Sequence, residues 1–203
     1  MALEHRISEL DTYLFAKGTH YEIYEKMGAH LAEEDGKAGT YFSVWAPNAR
    51  SVSVVGDFNN WDRSAHPMQP VQQSGIWDIF VPGVKAGDLY KFAVETSQGY
   101  TVLKADPYGN QSQLRPDNAS VVADIRHFDW TDQAWRKAHQ EKKTESPMAI
   151  YEVHPGSWKK DPSMPGEFYN FKKLAVELAD YVLEMGYTHV ELIGLSEHPF
   201  DGS

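Results

Sequence analysis

Two carboxylates and two histidines stand at alternate positions of two apolar segments near the end of the chain. Glu152 lies two residues before His154 in IYEVHPGSW, and His189 lies two residues before Glu191 in THVELIGL. Because side chains alternate across a strand, each of these pairs shares one strand face. Two carboxylates about 5 Å apart can act as nucleophile and acid/base on a glycosidic bond. Glu152 and Glu191 are therefore the first candidates for chemistry.

The position of these acids along the segments argues against catalysis. Active sites of barrels built from parallel strands lie at the C-terminal strand ends, whereas Glu152 and Glu191 fall within their segments. We expect neither of them to be catalytic. The loop that follows the second segment contains His198 and Asp201. It is expected near a substrate cleft in a supporting role, or as a turn that only shapes the loop.

A second candidate site lies in VVGDFNNWD, residues 54–62. Turns favour Gly, Asn and Asp for backbone reasons, and none of these reasons requires Trp61. An indole can stack on the apolar face of a sugar ring, and Asn59, Asn60 and Asp62 can reach sugar hydroxyls. The alternative is that Trp61 only packs against another part of the protein.

Composition restricts the classes of partner. The net charge is -10, from 29 acidic and 19 basic residues, and no basic cluster stands out, which argues against nucleic acid and anionic membranes. The chain has no cysteine, which excludes disulfides, thiolate catalysis and zinc–thiolate sites. Without a signal peptide or a membrane-length apolar run, we expect a soluble, cytoplasmic protein. We expect no metal or cofactor, because the nine histidines show no zinc spacing and no phosphate loop or Asp-rich calcium loop occurs.

The elements that must position the candidates follow from the hydrophobic period. The apolar residues have a helical spacing in the N-terminal segment and alternate with polar residues in the segment that follows, where the turns are rich in Pro, Gly and Asn. This pattern predicts an immunoglobulin-like antiparallel β-sandwich. Trp45 and Trp77 stand within strands of this sandwich and are expected in its core. The predicted segments are a helical N-terminal extension at 1–34, the β-sandwich at 35–126, a connector at 127–147 that is helical around 133–143, and an incomplete barrel segment at 148–203.

The last segment predicts a strand, a helix and a second strand. NFKKLAVELADYVLEMG carries an apolar stripe and places Gly186 as the C-terminal cap of the helix. One such unit cannot cover both faces of a parallel sheet or its own edges. A complete (β/α)8 barrel takes roughly 250 residues. The sequence therefore predicts a mainly β fragment of a longer protein, in which a barrel is begun and truncated.

The segments also resemble a known family. GTYFSVWAPNARSVSVVGDFNNWD, GIWDIFVPG, LYKF and KADPYG resemble a family 48 carbohydrate-binding module. IYEVHPGSWKK and THVELIGLSEHPFDGS resemble the first two barrel strands of the 1,4-α-glucan (glycogen) branching enzymes of the α-amylase superfamily. KMGAH fits the same group, and the resemblance covers about residues 20–203.

The resemblance implies binding residues and a ligand. Trp61 and Lys91 match positions that hold α-glucan in related modules, and Asn60, Tyr100 and Asn118 are further candidates for glycan binding. The implied partners are α-1,4-glucans such as glycogen, amylose and maltooligosaccharides, together with the remainder of the catalytic barrel in cis.

The resemblance also implies a reaction. An α-1,4 bond is broken through a covalent glucosyl-enzyme intermediate, and the chain is passed to a 6-hydroxyl to make an α-1,6 branch in glycogen biosynthesis. The catalytic carboxylates would come from later barrel strands, so the 203-residue chain is expected to bind glycan without catalysis. Two alternatives stay open: a non-catalytic glycan-binding or regulatory module, and a debranching or hydrolase relative. A reading frame that continues past Ser203 with the remaining strands would favour an enzyme.

Overall fold

The computed structural model describes residues 6–114, 116–125, 129–140, 146–163 and 168–196. The described residues form two compact units, one up to residue 125 and the other within 129–196. Both sheets of the first unit are antiparallel. The predicted mainly β fold class is confirmed.

The first unit contains two four-stranded sheets. One has the strand order β1-β2-β5-β4, and the other has the order β3-β6-β7 with β8 also paired to β6. The strands are β1 (Gly28–Glu34), β2 (Lys37–Trp45), β3 (Ser51–Gly56), β4 (Gln69–Pro70), β5 (Ile76–Pro82), β6 (Leu89–Glu95), β7 (Thr101–Lys104) and β8 (Ser120–Val121).

The main core lies between these two sheets. Phe42 from β2 meets Tyr90 from β6 with the ring centroids 5.0 Å apart, and Tyr90 meets Phe92 at 5.9 Å. Alternate residues of β3 and β6 point into this core, which is what the period of two predicts. Its buried members are Ala29, Phe42, Val44, Val52, Val54, Met68, Val81, Val84, Tyr90, Phe92 and Val122.

The N-terminal segment contributes to a second cluster beside the first sheet. Helix α1 (Glu9–Ala16) and a 3₁₀ helix (Ile23–Glu25) precede β1. Ser43, on the face of β2 opposite Phe42, donates its hydroxyl to the carbonyl of Lys26 at 2.6 Å. Both faces of the middle of β2 are therefore buried. The second cluster consists of Ile7, Ile23, Met27, Val71 and Ile76.

Asp11 ties α1 to the segment before β1. Its carboxylate accepts hydrogen bonds from the Ser8 hydroxyl at 2.6 Å and the Lys26 ammonium at 2.5 Å, and it lies 2.8 Å from His20 Nε2. Burial raises the pKa of Asp11, but the hydrogen bonds from Lys26, Ser8 and His20 together hold it well below its usual range. A carboxylate with several donors can thus be almost fully buried here.

The predicted helical character of residues 1–34 is wrong over Gly28–Glu34, which form the strand β1. This strand pairs with β2 through a hairpin in which Glu34 is opposite Lys37. The two turn residues, Asp35 and Gly36, have φ of 51° and 72°, as a tight two-residue hairpin turn requires. The backbone conformation of this turn directs residues 28–34 into the sheet.

The expectation that Trp45 is in the core is also wrong. Trp45 is the last residue of β2 and is 52% exposed. It stands beyond the part of β2 that is covered on both faces, and its ring meets the edge of Phe15 at 6.0 Å. Trp77, by contrast, packs half-buried against the main core, and its indole N–H donates to the carbonyl of Ala46 at 3.0 Å.

The second unit confirms the predicted strand–helix–strand order. Its elements are α2 (Gln133–Gln140), β9 (Ile150–Val153), α3 (Pro155–Trp158), α4 (Phe171–Glu184) and β10 (His189–Leu192). The strands β9 and β10 are parallel. Asn170 caps α4 by accepting from the Lys173 N–H, and Gly186 follows its end with a φ of 77°. The predicted extension of the connector helix to residue 143 lies outside the described residues.

The α4 stripe buries Leu174, Leu178 and Val182 against Val153 of β9, so the predicted apolar face covers one side of the two-stranded sheet. Among the helices within the described ranges, none is long and apolar enough to cross a membrane.

Candidate glycan-binding site

The loop that carries Trp61 begins where β3 ends. Gly56 leads into a 3₁₀ helix (Asp57–Asn59), and the next two residues, Asn60 and Trp61, have φ of 53° and 61°. Non-glycine residues rarely adopt this left-handed region, and a bulky residue there is an outlier. The conformation turns the chain sharply, so that Asn60 stands exposed and the Trp61 side chain is half-buried beside it.

Two hydrogen bonds fix Trp61. Its backbone N–H donates to the carbonyl of Gly56 at 2.9 Å, and its indole N–H donates to the carboxylate of Asp57 at 3.0 Å. Gly56 has no room for a side chain, because a Cβ there would lie 2.1 Å from the carbonyl oxygen of Leu89 and 2.6 Å from the Phe58 ring. The glycine thus lets the loop close directly against β6.

Asn59 does not take the sugar-contacting role that the sequence suggested. It is buried, its amide oxygen accepts from the Gly56 N–H at 2.9 Å, and its amide nitrogen donates to the Val54 carbonyl at 3.0 Å. The same nitrogen lies 2.8 Å from Nδ1 of His66. With its polar atoms engaged inside the loop, Asn59 is not placed to reach sugar hydroxyls.

Lys91 and Asn118 are brought together. The Lys91 ammonium donates to the amide oxygen of Asn118 at 2.5 Å. Tyr90 and Phe92 point into the core, so Lys91 projects from the outer face of β6. An ammonium has three N–H donors and an amide has two more. This pair can therefore donate to a ligand rich in oxygen while Lys91 still contacts Asn118.

The Trp61 loop and Lys91 lie at the same end of the second sheet. Trp61 is bonded to Gly56, which is opposite Tyr90, the neighbour of Lys91. Tyr100 lies at the other end, where its carbonyl accepts from the N–H of Thr96. Five residues of strand separate Lys91 from Thr96, about 16 Å at 3.3 Å per residue. The structure therefore groups Asn60, Trp61, Lys91 and Asn118, and it separates Tyr100 from them.

Two titratable groups border the loop. The backbone and hydroxyl of Ser64 donate to Asp62 at 2.8 and 2.7 Å, and these bonds lower the pKa of Asp62. Burial lowers the pKa of His66, and the charge of Asp62 opposes that shift. Asp62 is therefore a carboxylate acceptor at neutral pH, and His66 favours its neutral form there.

The acids of the second unit are neighbours. Glu152 of β9 and Glu191 of β10 occupy the same register position of the parallel pair, and both are exposed. Beyond the strand end, His154 Nδ1 lies 3.3 Å from the Ser157 hydroxyl. A Cβ at Gly194 would be 2.9 Å from His154 Nε2, so the His154 ring lies against the backbone that follows β10. His198 and Asp201 lie outside the described residues.

No group of three or more potential metal-ligating side chains occurs among the residues that the structure describes.

The sequence did not indicate the structural roles of three residues. Asn59 was given the wrong role, and His66 and Asp106 were not named. Asp106 stands in the quoted KADPYG segment, and the Tyr90 hydroxyl donates to it at 2.6 Å. The repeated asparagine in FNNWD was the available signal for Asn59, whereas no local signal marks His66.

Comparison with known proteins supplies independent information. Residues 26–109 match the family described as carbohydrate-binding module 48 (isoamylase N-terminal domain). The chain is 51% identical over 199 residues to 1,4-alpha-glucan branching enzyme GlgB of Butyrivibrio fibrisolvens, covering 97% of this chain and 31% of that protein. It is 52% identical over 196 residues to the enzyme of the same name from Protochlamydia amoebophila, covering 96% of this chain and 27% of that protein. The chain thus spans about a third or less of the length of these relatives.

Two solved structures illustrate the similarity in fold. The catalytic module of the glycogen-degrading pneumococcal virulence factor SpuA is 25% identical, with a TM-score of 0.60 over 86% of this chain and 27% of that one. The GBS pullulanase SAP in complex with maltotetraose is 20% identical, with a TM-score of 0.56 over 86% of this chain and 24% of that one. The second of these likenesses shows the fold alone.

Proposed function

We propose that this chain is the N-terminal part of a 1,4-α-glucan branching enzyme and that its sandwich binds α-1,4-glucan. The proposal starts from the match of residues 26–109 to the carbohydrate-binding module 48 family. The first statement is supported by a sequence identity of 51% and 52% to two branching enzymes over nearly the whole chain. The geometry around Trp61 supports the second.

The observation that carries the binding proposal is the grouping of an aromatic loop with a donor pair at one end of the second sheet. Trp61 offers an indole, and Lys91 and Asn118 offer N–H donors at the same end of the sheet. Sugar sites combine an apolar ring surface with a few fixed polar groups. The ligand assigned here is a neutral α-glucan such as maltoheptaose, because its hydroxyl oxygens suit these donors and it requires no strongly basic surface.

Each group has a defined part in this binding. The Trp61 indole N–H is already engaged by Asp57, so the ring would contact the sugar through its apolar surface. Lys91 and Asn118 donate to hydroxyl oxygens, and the exposed amide of Asn60 adds a contact from the loop. Tyr100, which is bonded to Thr96 at the other end of β6, would meet a different glucose unit of a longer chain or none.

The transferase activity is proposed for the whole enzyme. In it, the segment from β9 to β10 begins the catalytic barrel, and the acids that attack and protonate the glycosidic bond come from other barrel strands. We do not assign that role to the exposed pair Glu152 and Glu191, since each precedes the last residue of its strand and does not lie in the loop beyond the C-terminal end. A cysteine-free chain suits the reducing cytoplasm, where we place this protein.

The test is the affinity of the 203-residue chain for maltoheptaose, measured by titration calorimetry. Trp61→Ala should weaken binding about 10- to 100-fold, because a large apolar surface is lost from the contact, worth about 1 to 3 kcal/mol. Trp135→Ala is the matched control, since Trp135 is 61% exposed on α2 and stacks on His139. Its affinity should equal that of the wild type.

Two outcomes would contradict the proposal. If the folded Trp61→Ala variant binds as tightly as the wild type, Trp61 serves packing and not glycan contact. If the wild-type chain does not bind maltoheptaose or glycogen at all, the sandwich is not a glycan-binding module.

A further inference from the structure

We propose that Asn59 and His66 act as positioning residues for Trp61, and that they make glycan binding by this loop weaker at acidic pH. This inference rests on the proposed function, since it concerns the same site. Neither residue needs to touch the sugar. Their effect passes through the backbone that aims the indole.

The backbone at Trp61 needs support. Asn60 and Trp61 are consecutive non-glycine residues in the left-handed region, with φ of 53° and 61°. This backbone conformation is unfavourable for residues with a side chain, and more so for Trp than for Asn, and such strain persists only where surrounding contacts enforce it. The contacts that enforce it are therefore part of the binding site.

Asn59 supplies these contacts from both its backbone and its side chain. Its carbonyl accepts from the Asp62 N–H at 3.0 Å, so residues 59 and 62 enclose the two strained residues. Its side-chain amide bridges the Gly56 N–H and the Val54 carbonyl at the end of β3. The strained turn is thus attached to the sheet by one buried amide group.

The Asn59 amide nitrogen determines which ring nitrogen of His66 carries the proton. The amide oxygen is taken by an N–H donor and the amide nitrogen by a carbonyl acceptor, so the orientation of the Asn59 amide is fixed. Its nitrogen, a donor, lies 2.8 Å from Nδ1 of His66. Nδ1 must therefore accept, and the ring carries its proton on Nε2.

Protonation of His66 would break this contact. A second proton on the ring would place an N–H at Nδ1, facing the N–H of Asn59, and two donors cannot share a hydrogen bond. Burial already disfavours the charged ring, and among the described residues Asp62 is the charged group that acts on His66 in the opposite direction. Phe58 packs its ring edge-to-face with His66 at 5.7 Å and carries no charge. Binding should therefore be lost only below the ordinary titration range of histidine.

Two substitutions separate the acceptor from the ring. His66→Asn keeps an acceptor oxygen close to the position of Nδ1 but cannot titrate, and His66→Phe keeps the ring packed on Phe58 but has no acceptor. The 203-residue chain and both variants are titrated with maltoheptaose at pH 8 and pH 5, with circular dichroism recorded for each to establish that the protein is folded.

The wild type should bind about tenfold more weakly at pH 5 than at pH 8. His66→Asn should bind equally at both pH values with an affinity near that of the wild type at pH 8. His66→Phe should bind about tenfold more weakly at both. Asp106, which also titrates in this range, is present in all three proteins, so a difference between them cannot come from it.

Failure of this inference is distinct from failure of the proposed function. If the wild type binds at pH 8 and folded His66→Phe binds as tightly, or if His66→Asn keeps the pH dependence of the wild type, the positioning role is overturned. If the wild type does not bind at pH 8, the proposed function itself fails, and this inference with it.

Discussion

At the residue scale, side-chain type suggests candidates for ligand contact but does not indicate which residues hold the Trp61 loop together. Lys91 and Asn118 were expected at the site and are hydrogen bonded to each other. The two asparagines of FNNWD are identical in type, yet Asn59 is buried and Asn60 is exposed. That difference arises from the left-handed turn after Asn59, which no local pattern specifies. The role of His66 depends on a contact across seven residues of loop and was likewise not predictable.

Asp106 is a second buried polar group whose energetics the structure predicts. It accepts from the Tyr90 hydroxyl and the Tyr108 N–H, and its own N–H donates to the Ser120 hydroxyl at 2.8 Å. Burial raises the pKa of Asp106 to about 6, against the lowering effect of its hydrogen bonds with Tyr90 and Tyr108. The folded protein therefore binds a proton on this carboxyl more tightly than the unfolded chain does.

The sign of the resulting pH dependence follows directly. A pKa raised on folding favours the folded state below the unfolded pKa of 3.8, and this contribution is lost as the pH rises through about 6. About two pKa units correspond to about 3 kcal/mol. We predict that the free energy of unfolding of the wild type, relative to Asp106→Asn, falls by about 2 to 3 kcal/mol between pH 4 and pH 7.5, because the unfolded carboxyl is already partly ionised at pH 4.

Urea denaturation of both proteins across this pH range measures the difference. Asp106→Asn is the appropriate reference because it keeps a polar amide at the site and does not titrate, while contributions from Asp11 and His66 are common to both proteins. A difference that is constant with pH would show that Asp106 is as easily ionised in the folded state as in the unfolded one.

At the scale of elements, the alternation of residues in the sandwich predicted the strands that carry the site, and the strand–helix–strand order of the second unit was also predictable. The strand β1 was not predicted, because the helical period of the N-terminal extension was taken to continue to residue 34. The Asp35–Gly36 pair was the signal for a hairpin. Exposure of Trp45 could not be predicted, because it depends on where the N-terminal segment stops covering β2.

The start of β1 meets another quoted segment in a way that sequence alone does not show. Gly28, in KMGAH, has a φ of 94°, and a Cβ there would lie 3.0 Å from the Cβ of Tyr108 and 3.2 Å from the Asp106 carboxylate. Both of those residues belong to KADPYG. The two segments are therefore in direct contact, and Gly28 is required by its conformation and by this contact.

We predict that Gly28→Ala destabilises the first unit by about 2 to 4 kcal/mol, because a side chain at positive φ costs about 1 to 2 kcal/mol and the added methyl group displaces the half-buried Tyr108 and the buried Asp106. Gly36→Ala is the matched control. Gly36 also has positive φ, of 72°, but a Cβ there meets nothing within 4 Å. It should cost only the backbone contribution, about 1 to 2 kcal/mol.

Thermal and urea denaturation of the two variants measure these costs. Equal destabilisation would mean that the contact between KMGAH and KADPYG adds nothing to the conformational requirement at Gly28.

At the scale of the whole molecule, the two units differ in how completely they bury their apolar surface. The first unit has a core closed between two sheets and a second cluster beside it. The second unit has two strands and buries four residues in its main cluster, Val153, Leu174, Leu178 and Val182. Many of its other large apolar side chains are exposed, among them Ile150, Val176, Leu183, Val190, Leu192, Ile193 and Leu195. This asymmetry was predictable, because a single strand–helix–strand unit cannot cover both faces of its sheet.

We predict that hydrogen exchange divides the chain accordingly. A two-stranded sheet is marginal by itself in water, and amides exchange through local opening where few apolar contacts oppose it. Amides of β9 and β10 should therefore exchange at least about 100-fold faster than those of β2 and β6, a difference of about 3 kcal/mol in opening free energy. Mass spectrometry of the deuterated 203-residue chain, at two protein concentrations, gives the measurement. If β9 and β10 are as well protected as β2 and β6 at both concentrations, the second unit is stable with its apolar side chains exposed. Protection that rises with concentration would show that these side chains are covered by a second copy of the chain.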